Sequence, residues 1–375
     1  MKPELGIYLH IPFCRRKCLY CDFCSFPATS EELRAAYTDA LCREMRSYRE
    51  AARAYTVDTV YIGGGTPSCL SVTETERLLA CLYDNFDISA GAEVSSEVNP
   101  ATADEEKLRV WRGLGINRLS VGVQSFDDGE LRALGRLHTA GEAVAFVAAA
   151  RRAGFENIGL DLMYGIPRQT PESFAATLAR AVSLSPTHIS AYSLQVEEGT
   201  PFFERRDTLD IPDDDANADL YDLCRATLET AGYAQYEISN YAKDGYQCRH
   251  NLRYWRMSPY IGMGVAAYSY FEGVRYGHDR DLPAYLASDF ASHPAGEPLN
   301  AAEREYESVM LGLRLAEGID DRAFALAFGY TFSEKYGARL APYAAAGLVK
   351  RTEHGYALTP RGMYVSLAIL AEILA

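Results

Sequence analysis

The sequence predicts an α/β protein: a partial (β/α)6 barrel followed by a small C-terminal helical, winged-helix-like domain. Three observations predict it. Six apolar, β-rich runs alternate with helical patterns, the order expected of βαβ units and a parallel sheet. Residues suited to chemistry cluster just after the C-terminal ends of those runs, where parallel α/β folds place their ligands. From about Ala301 the pattern changes to helices followed by a hairpin.

The strand runs are Gly6–Ile11, Thr56–Ile62, Glu93–Val98, Arg118–Val123, Ile158–Tyr164 and His188–Leu194. The continuous run Val57–Ile62 suits a strand covered on both faces. Helical patterns fill the gaps at Ser30–Ala54, Thr73–Tyr83, Asp104–Gly113, Glu142–Gly154 and Pro171–Ser183. Six units in place of eight make the barrel partial. Gly199-Thr200-Pro201 reads as a loop, and Asp213-Asp214-Asp215 opens a helix over Asp215–Thr230 that Gly232 ends. Tyr246–Tyr270 is rich in aromatics with weak periodicity. In the tail, Glu303–Leu315, Asp321–Phe328 and Thr331–Ala345 read as helices. Residues 347–358 read as a hairpin and Thr359–Leu374 as a last helix. The expected domains are a barrel over 1–235, an aromatic segment over 236–300 that closes it, and a C-terminal domain over 301–375.

Over 375 residues the formal net charge is −14. Nucleic-acid binding would show as a basic face, so it is not expected, and the C-terminal domain is read as covering or packing. The count of nine cysteines is odd, and five of them are scattered, which points to a reducing compartment and against a disulfide framework. No signal peptide is visible, so the expected location is cytoplasmic. The longest apolar stretch, Tyr364–Ala375, is too short to span a bilayer. Peripheral membrane contact and homodimer formation stay open.

Cys14, Cys18 and Cys21 stand in a C-x3-C-x2-C spacing. Three thiolates can hold three irons of a [4Fe–4S] cluster and leave the fourth open, whereas a structural zinc site wants four closed ligands. Three buried core cysteines would be the alternative, but charges and a proline among them make a poor core pattern. Gly63-Gly64-Gly65-Thr66-Pro67 follows the second strand run; its glycines allow close backbone approach, and it lacks the residues of a P-loop. Glu97 at the third strand's end suits a ribose diol, as acidic residues do in nucleotide sites. Gln124 is a neutral donor and acceptor at the fourth, and Arg136 a bidentate fork for a carboxylate. Asp161, a carboxylate inside an apolar strand, requires a ligand or a structural partner. His250 sits in Cys248-Arg249-His250-Asn251-Leu252-Arg253-Tyr254-Trp255. Neutral imidazole is a frequent axial ligand of heme iron, and Tyr254 and Trp255 offer flat apolar faces. The competing reading is that His250 and Asn251 hydrogen-bond a loop while Trp255 fills the core.

The cysteine spacing, with aromatic Tyr20 before the last cysteine, resembles the signature of the radical SAM superfamily. That resemblance implies that S-adenosylmethionine (SAM) chelates the open iron and is cleaved to a 5′-deoxyadenosyl radical. It also implies that the GGGTP stretch meets the methionyl amino group. Tyr8-Leu9-His10-Ile11-Pro12-Phe13-Cys14, GGGTP, EVNP at 97–100, GVQSF at 122–126, the Asp161–Pro167 run and QTPES at 169–173 narrow it further. Together they resemble the oxygen-independent coproporphyrinogen III oxidase group, over most of residues 6–270. The resemblance implies that Tyr8, Gly64, Gly65, Thr66, Glu97, Gln124, Arg136 and Asp161 contact SAM.

Two departures are visible. The oxidases carry a fourth cysteine in a C-x-C pair, where this sequence has Phe23 and then Cys24. They also carry a longer segment before the motif, and only 13 residues precede Cys14 here. Both departures, and the H-N-x-x-Y-W stretch at 250–255, resemble the heme-chaperone branch of the group. The expected cofactors and ligands are therefore a [4Fe–4S] cluster, SAM and heme, with heme-requiring respiratory proteins as partners. The alternative is oxidative decarboxylation of coproporphyrinogen III. Cys24 is expected to be a loop thiol, since a fourth thiolate would occupy SAM's iron.

Overall fold

A computed structural model describes residues 2–27 and 30–375. The six expected βα units are all present. Strands β1 (Glu4–Ile11), β2 (Thr56–Gly64), β3 (Ile88–Val98), β4 (Arg118–Gln124), β5 (Asn157–Tyr164) and β6 (His188–Ser193) pair in sequence order, all parallel. Between them run α1 (Glu31–Ala52), α2 (Val72–Asn85), α3 (Glu105–Gly113), α4 (Ala140–Arg152) and α5 (Pro171–Ser183), and α6 (Asp214–Thr230) follows β6. The helices start where side chains can satisfy their first N–H groups. Ser71 with Glu74 and Thr139 with Glu142 form reciprocal capping boxes, and Pro171 occupies the first turn of α5.

Alternation along each strand separates two environments. In β1, Leu5, Ile7, Leu9 and Ile11 are buried in the apolar layer shared with α1, while Tyr8 and His10 face the barrel interior. In β3 and β4 the interior positions are Glu93, Ser95 and Glu97, then Arg118 and Ser120. The barrel therefore has an apolar outside layer and a polar lumen.

The aromatic segment, weakly periodic in sequence, folds into short elements: β7 (Asn240–Ala242), α7 (Arg249–Trp255), β8 (Tyr260–Met263), β9 (Tyr268–Phe271) and β10 (Val274–Gly277), then helix α8 (Leu282–Ala287). β8 lies parallel beside β1, pairing Gly6 with Tyr260. β7 closes antiparallel on β6. The sheet has 12 strands and does not close on itself; its order ends on Glu297–Pro298 at one edge and Ala234–Gln235 at the other.

The tail builds its own core. Helices α9 (Ala301–Gly312), α10 (Asp321–Phe328) and α11 (Phe332–Ala345) pack with the hairpin β11 (Val349–Arg351) and β12 (Gly355–Leu358) around Phe324, Phe332 and Leu340. Buried Glu305 anchors it, accepting from the hydroxyls of Tyr330 and Tyr336 (2.5 and 2.8 Å) and from Lys335 Nζ. The expected last helix is broken at Val365 into Pro360–Tyr364 and Ser366–Ile373. A bridge from Glu237 to Leu315 and the pair Arg256–Glu317 (2.9 Å) join this core to the barrel.

Candidate functional site

The cysteine loop leaves the C-terminal end of β1 and is clasped at its base. Phe13 and Cys14 pair with Phe26 and Pro27, so the residues between them, 15–25, are held as one closed loop. Arg16 donates to Gly135 O (2.6 Å), and Leu19 exchanges backbone bonds with Leu134 and Phe202. Tyr20 packs beside Leu19 on the apolar cluster of Leu134, Met163 and Ile166, so the expected aromatic also seats the loop. Burial pushes the Cys21 thiol up to about 11, and Cys18 and Cys14 add to the rise. Burial raises Cys14 as well, against a 3.4 Å contact to Thr66 Oγ1.

The glycine loop lies directly beneath. Gly64 takes φ +111°, and a Cβ there would strike the His10 ring at 2.5 Å. A Cβ on Gly65 would lie 2.9 Å from the backbone N and O of Phe13. These glycines are demanded first by packing under the cysteine loop, a reason distinct from close approach to a ligand. Gly64 N–H donates to Glu97 (3.1 Å).

Glu97 and Asp161 share the lumen. Burial, then the charge of Asp161, pushes Glu97 up to about 8. Burial also raises Asp161, opposed by Ser190, by Ser120 (3.0 Å), and by Arg118 and Arg136. Gln124 sits at a register shift between β4 and β5 with φ +69°. A left-handed backbone on a non-glycine residue is uncommon and concentrates at functional sites. Arg136 donates to Gly122 O and lies 3.5 Å from Cys18 Sγ, while its buried Nε has no partner among the described residues. Burial works against its charge; Tyr20 and Cys18 outweigh that and hold the guanidinium protonated.

The residues fit the implied groups. Burial raises the half-buried Cys14 and Cys21 thiols, and thiols held up in this way need positive charge to deprotonate, which iron supplies. Two carboxylates in one partly buried lumen call for hydroxyl donors or a cation. The unpartnered Arg136 Nε calls for an acceptor. Iron meets the first demand, and a molecule with a ribose diol, a sulfonium and a carboxylate meets the other two.

His250 departs from expectation. It is fully buried, with Nδ1 3.0 Å from Thr59 Oγ1 and Nε2 2.9 Å from the Tyr254 hydroxyl. Burial, then Arg253 and Arg118, lowers it to about 3, so the ring is neutral with both nitrogens in use. Glu93 accepts the backbone N–H groups of Arg249 (3.0 Å) and His250 (3.4 Å), and Asp58 pairs with Arg249 and Arg253. Helix α7 thus plugs the lumen below the strand ends, and His250 is not presented as an iron ligand. Cys248 is equally enclosed. Trp255 faces the C-terminal core, with Arg314 stacked 5.5 Å from its ring, while Tyr254 lines a cavity on the barrel side.

A radical SAM superfamily profile matches residues 8–181, and a HemN C-terminal domain profile matches 299–365. The heme chaperone HemW of Lactococcus lactis is 33% identical over all of this chain and 98% of its own length. The chain belongs to the HemW family. HemW of Bacillus subtilis is 34% identical over 98% of both chains, and HemW of Escherichia coli is 41% identical over 71% of this chain and 70% of its own. A solved radical SAM enzyme, the coproporphyrinogen III oxidase HemN of Escherichia coli, superposes with TM-score 0.85 at 27% identity, covering 99% of this chain and 90% of that one. In this chain position 23 is the exposed Phe23, and Cys24 lies at a cavity wall that includes none of the other three cysteines. No helix among the described residues is long and apolar enough to cross a membrane.

Proposed function

We propose that this chain is a heme chaperone that holds a [4Fe–4S] cluster on Cys14, Cys18 and Cys21, binds SAM along the strand ends, and passes heme to respiratory proteins. Its likeness over nearly full length to relatives named heme chaperones carries the reading. Thr66 supports Cys14, and Arg136 and Tyr20 flank Cys18. Tyr8, Gly64, Gly65, Glu97, Gln124 and Asp161 present the polar lumen to SAM. When bound, the cluster supplies an electron and SAM supplies a carbon radical precursor; the chain's own contribution is to seat both and exclude bulk water.

The test is an anaerobic preparation assayed twice: by heme titration, and by incubation with coproporphyrinogen III, SAM and a reductant. Heme binding without protoporphyrinogen formation is expected. About four irons per chain are expected in the same preparation, lost on replacing Cys14, Cys18 or Cys21 by Ala and retained in Cys24→Ala. The fold likeness to the Escherichia coli oxidase favours one second reading, oxidative decarboxylation. Sustained product formation would establish that reading and overturn the chaperone.

A further inference from the structure

With His250 enclosed, a different histidine meets the requirements of an iron ligand. A cavity of about 430 Å3 opens between the end of the cysteine loop and the segment after β10. Its size lies within the usual range of small-molecule sites, about 300–1,000 Å3. Phe23, Cys24, Tyr254, Tyr268, His278 and Arg280 are on its walls.

His278 is held from behind. Its Nε2 lies 2.6 Å from Glu44 Oε1, on α1. Glu44 is 1% exposed and accepts two further bonds, from Gly264 N–H (2.9 Å) and the Tyr285 hydroxyl (2.5 Å). The carboxylate therefore cannot swing away, and it keeps the imidazole oriented with Nε2 as donor. The other nitrogen, Nδ1, has no hydrogen-bond partner among the described residues, on a side chain 16% exposed at the cavity. An imidazole donating to a carboxylate through one nitrogen and open at the other is the arrangement that orients metal-ligating histidines and raises their basicity.

The rest of the cavity suits a flat apolar ring with acidic substituents. Phe23 and Tyr268 are 68% and 60% exposed, two large aromatic faces left to water at one opening. Aromatic faces of this kind cover a planar ligand well. Arg280 at the rim reaches Asp22 at 3.3 Å and remains mostly exposed, so its fork can turn to a carboxylate.

We propose that this cavity seats the heme, with His278 Nδ1 donating its lone pair to the iron, Glu44 positioning the imidazole, and Arg280 pairing with a propionate. The inference rests on the heme-chaperone reading above.

The experiment titrates the full-length, cluster-loaded protein with heme and reads the iron's ligand field by EPR and resonance Raman. His278→Gln keeps an amide donor for Glu44 but no iron ligand. It is expected to lose the imidazole signature and to weaken heme binding by on the order of tenfold or more, the scale of second-shell and ligand losses at metal sites. In His278→Gly, added imidazole is expected to restore the wild-type spectrum, which a merely structural role would not allow. Glu44→Gln should shift the iron–imidazole vibration while retaining iron in the cluster. Wild-type protein that binds heme with a spectrum and affinity unchanged in His278→Gln would overturn the seat and leave the chaperone reading standing. A spectrum changed by Cys24→Ala alone would overturn His278 as ligand. Wild-type protein that binds no heme would overturn the chaperone reading and this one with it.

Discussion

His250→Ala separates a structural plug from an iron ligand. The ring relinquishes its bonds to Thr59 and Tyr254. Thr59 Oγ1 keeps the Arg253 Nε donor at 3.0 Å, so its loss is partial. The Tyr254 hydroxyl has no other hydrogen-bond partner among the described residues, and stranding it costs about 1–3 kcal/mol. The vacated ring, at 0% exposure, leaves a cavity that the packed neighbours Tyr8 and Tyr61 fill only in part, adding about 1–2 kcal/mol. A total loss of about 2–5 kcal/mol follows from the two terms. Chemical denaturation of the anaerobic protein measures it as a lowered midpoint. The heme spectrum of the folded fraction should stay as in the wild type, because His250 reaches no cavity. A variant of unchanged stability whose axial-ligand signature disappeared would refute the plug and restore His250 as the ligand.

Gly65→Val should lower iron content as well as SAM affinity, because its side chain strikes the backbone of Phe13 at the root of the cysteine loop; iron analysis beside calorimetry reads both, and intact iron with lost SAM would place the constraint on the ligand side instead. Glu97 has a folded pKa of about 8 against an ordinary 4.5. The unfolded chain therefore binds fewer protons at this group across that window, and stability of ligand-free protein should fall as pH rises from about 4.5 to 8. Glu97→Gln should flatten that part of the denaturation profile, and an identical slope in both proteins would show that Glu97 ionises normally. Glu305→Ala strands the buried Tyr336 hydroxyl in the C-terminal core and removes the shared acceptor of Tyr330 and of the half-exposed Lys335, an expected cost of about 1–3 kcal/mol; limited proteolysis should then cut within 301–375 first, and uncut protein would contradict it.

The repeating units were legible because their signals are local and periodic. Pro171–Ser183 has its bounds in the sequence, since a Thr-Pro start and a 3.6-residue apolar rhythm define it without reference to any partner. Tyr260–Met263 was not: four residues are too few to establish a period, and its partner β1 lies some 250 residues away in the chain. The same rule divides the site. The cysteines, the glycines and the strand-end residues Glu97, Gln124 and Asp161 stand in short windows whose chemistry can be read directly. The His278–Glu44 pair joins residues 234 apart, and neither has a local pattern. His250 misleads for a related reason. Its neighbours Tyr254 and Trp255 look like a porphyrin surface in sequence, but one helical turn sends Trp255 to Arg314 and aims the histidine into the lumen.

The lumen has two tiers, and their difference explains where chemistry can occur. In the lower tier Glu93 caps α7 and Asp58 pairs with Arg249 and Arg253, while His250 bonds Thr59 and Tyr254. Those groups are committed to one another. Arg118 belongs to both tiers: burial opposes its charge, Cys248 and Glu93 sustain it from below, and it acts on Asp161 above. Asp161 is thereby answered by Arg118, Ser120 and Ser190. Glu97, two strands over, receives hydrogen bonds from Gly64 N–H and Tyr61, and the charge of Arg118 last, against burial and the charge of Asp161. The upper tier is left one hydrogen-bonded counter-charge short, and the deficit falls on Glu97. A cationic, hydroxyl-bearing ligand at the strand ends would supply what the fold withholds there, and so would be bound more tightly once Glu97 is ionised.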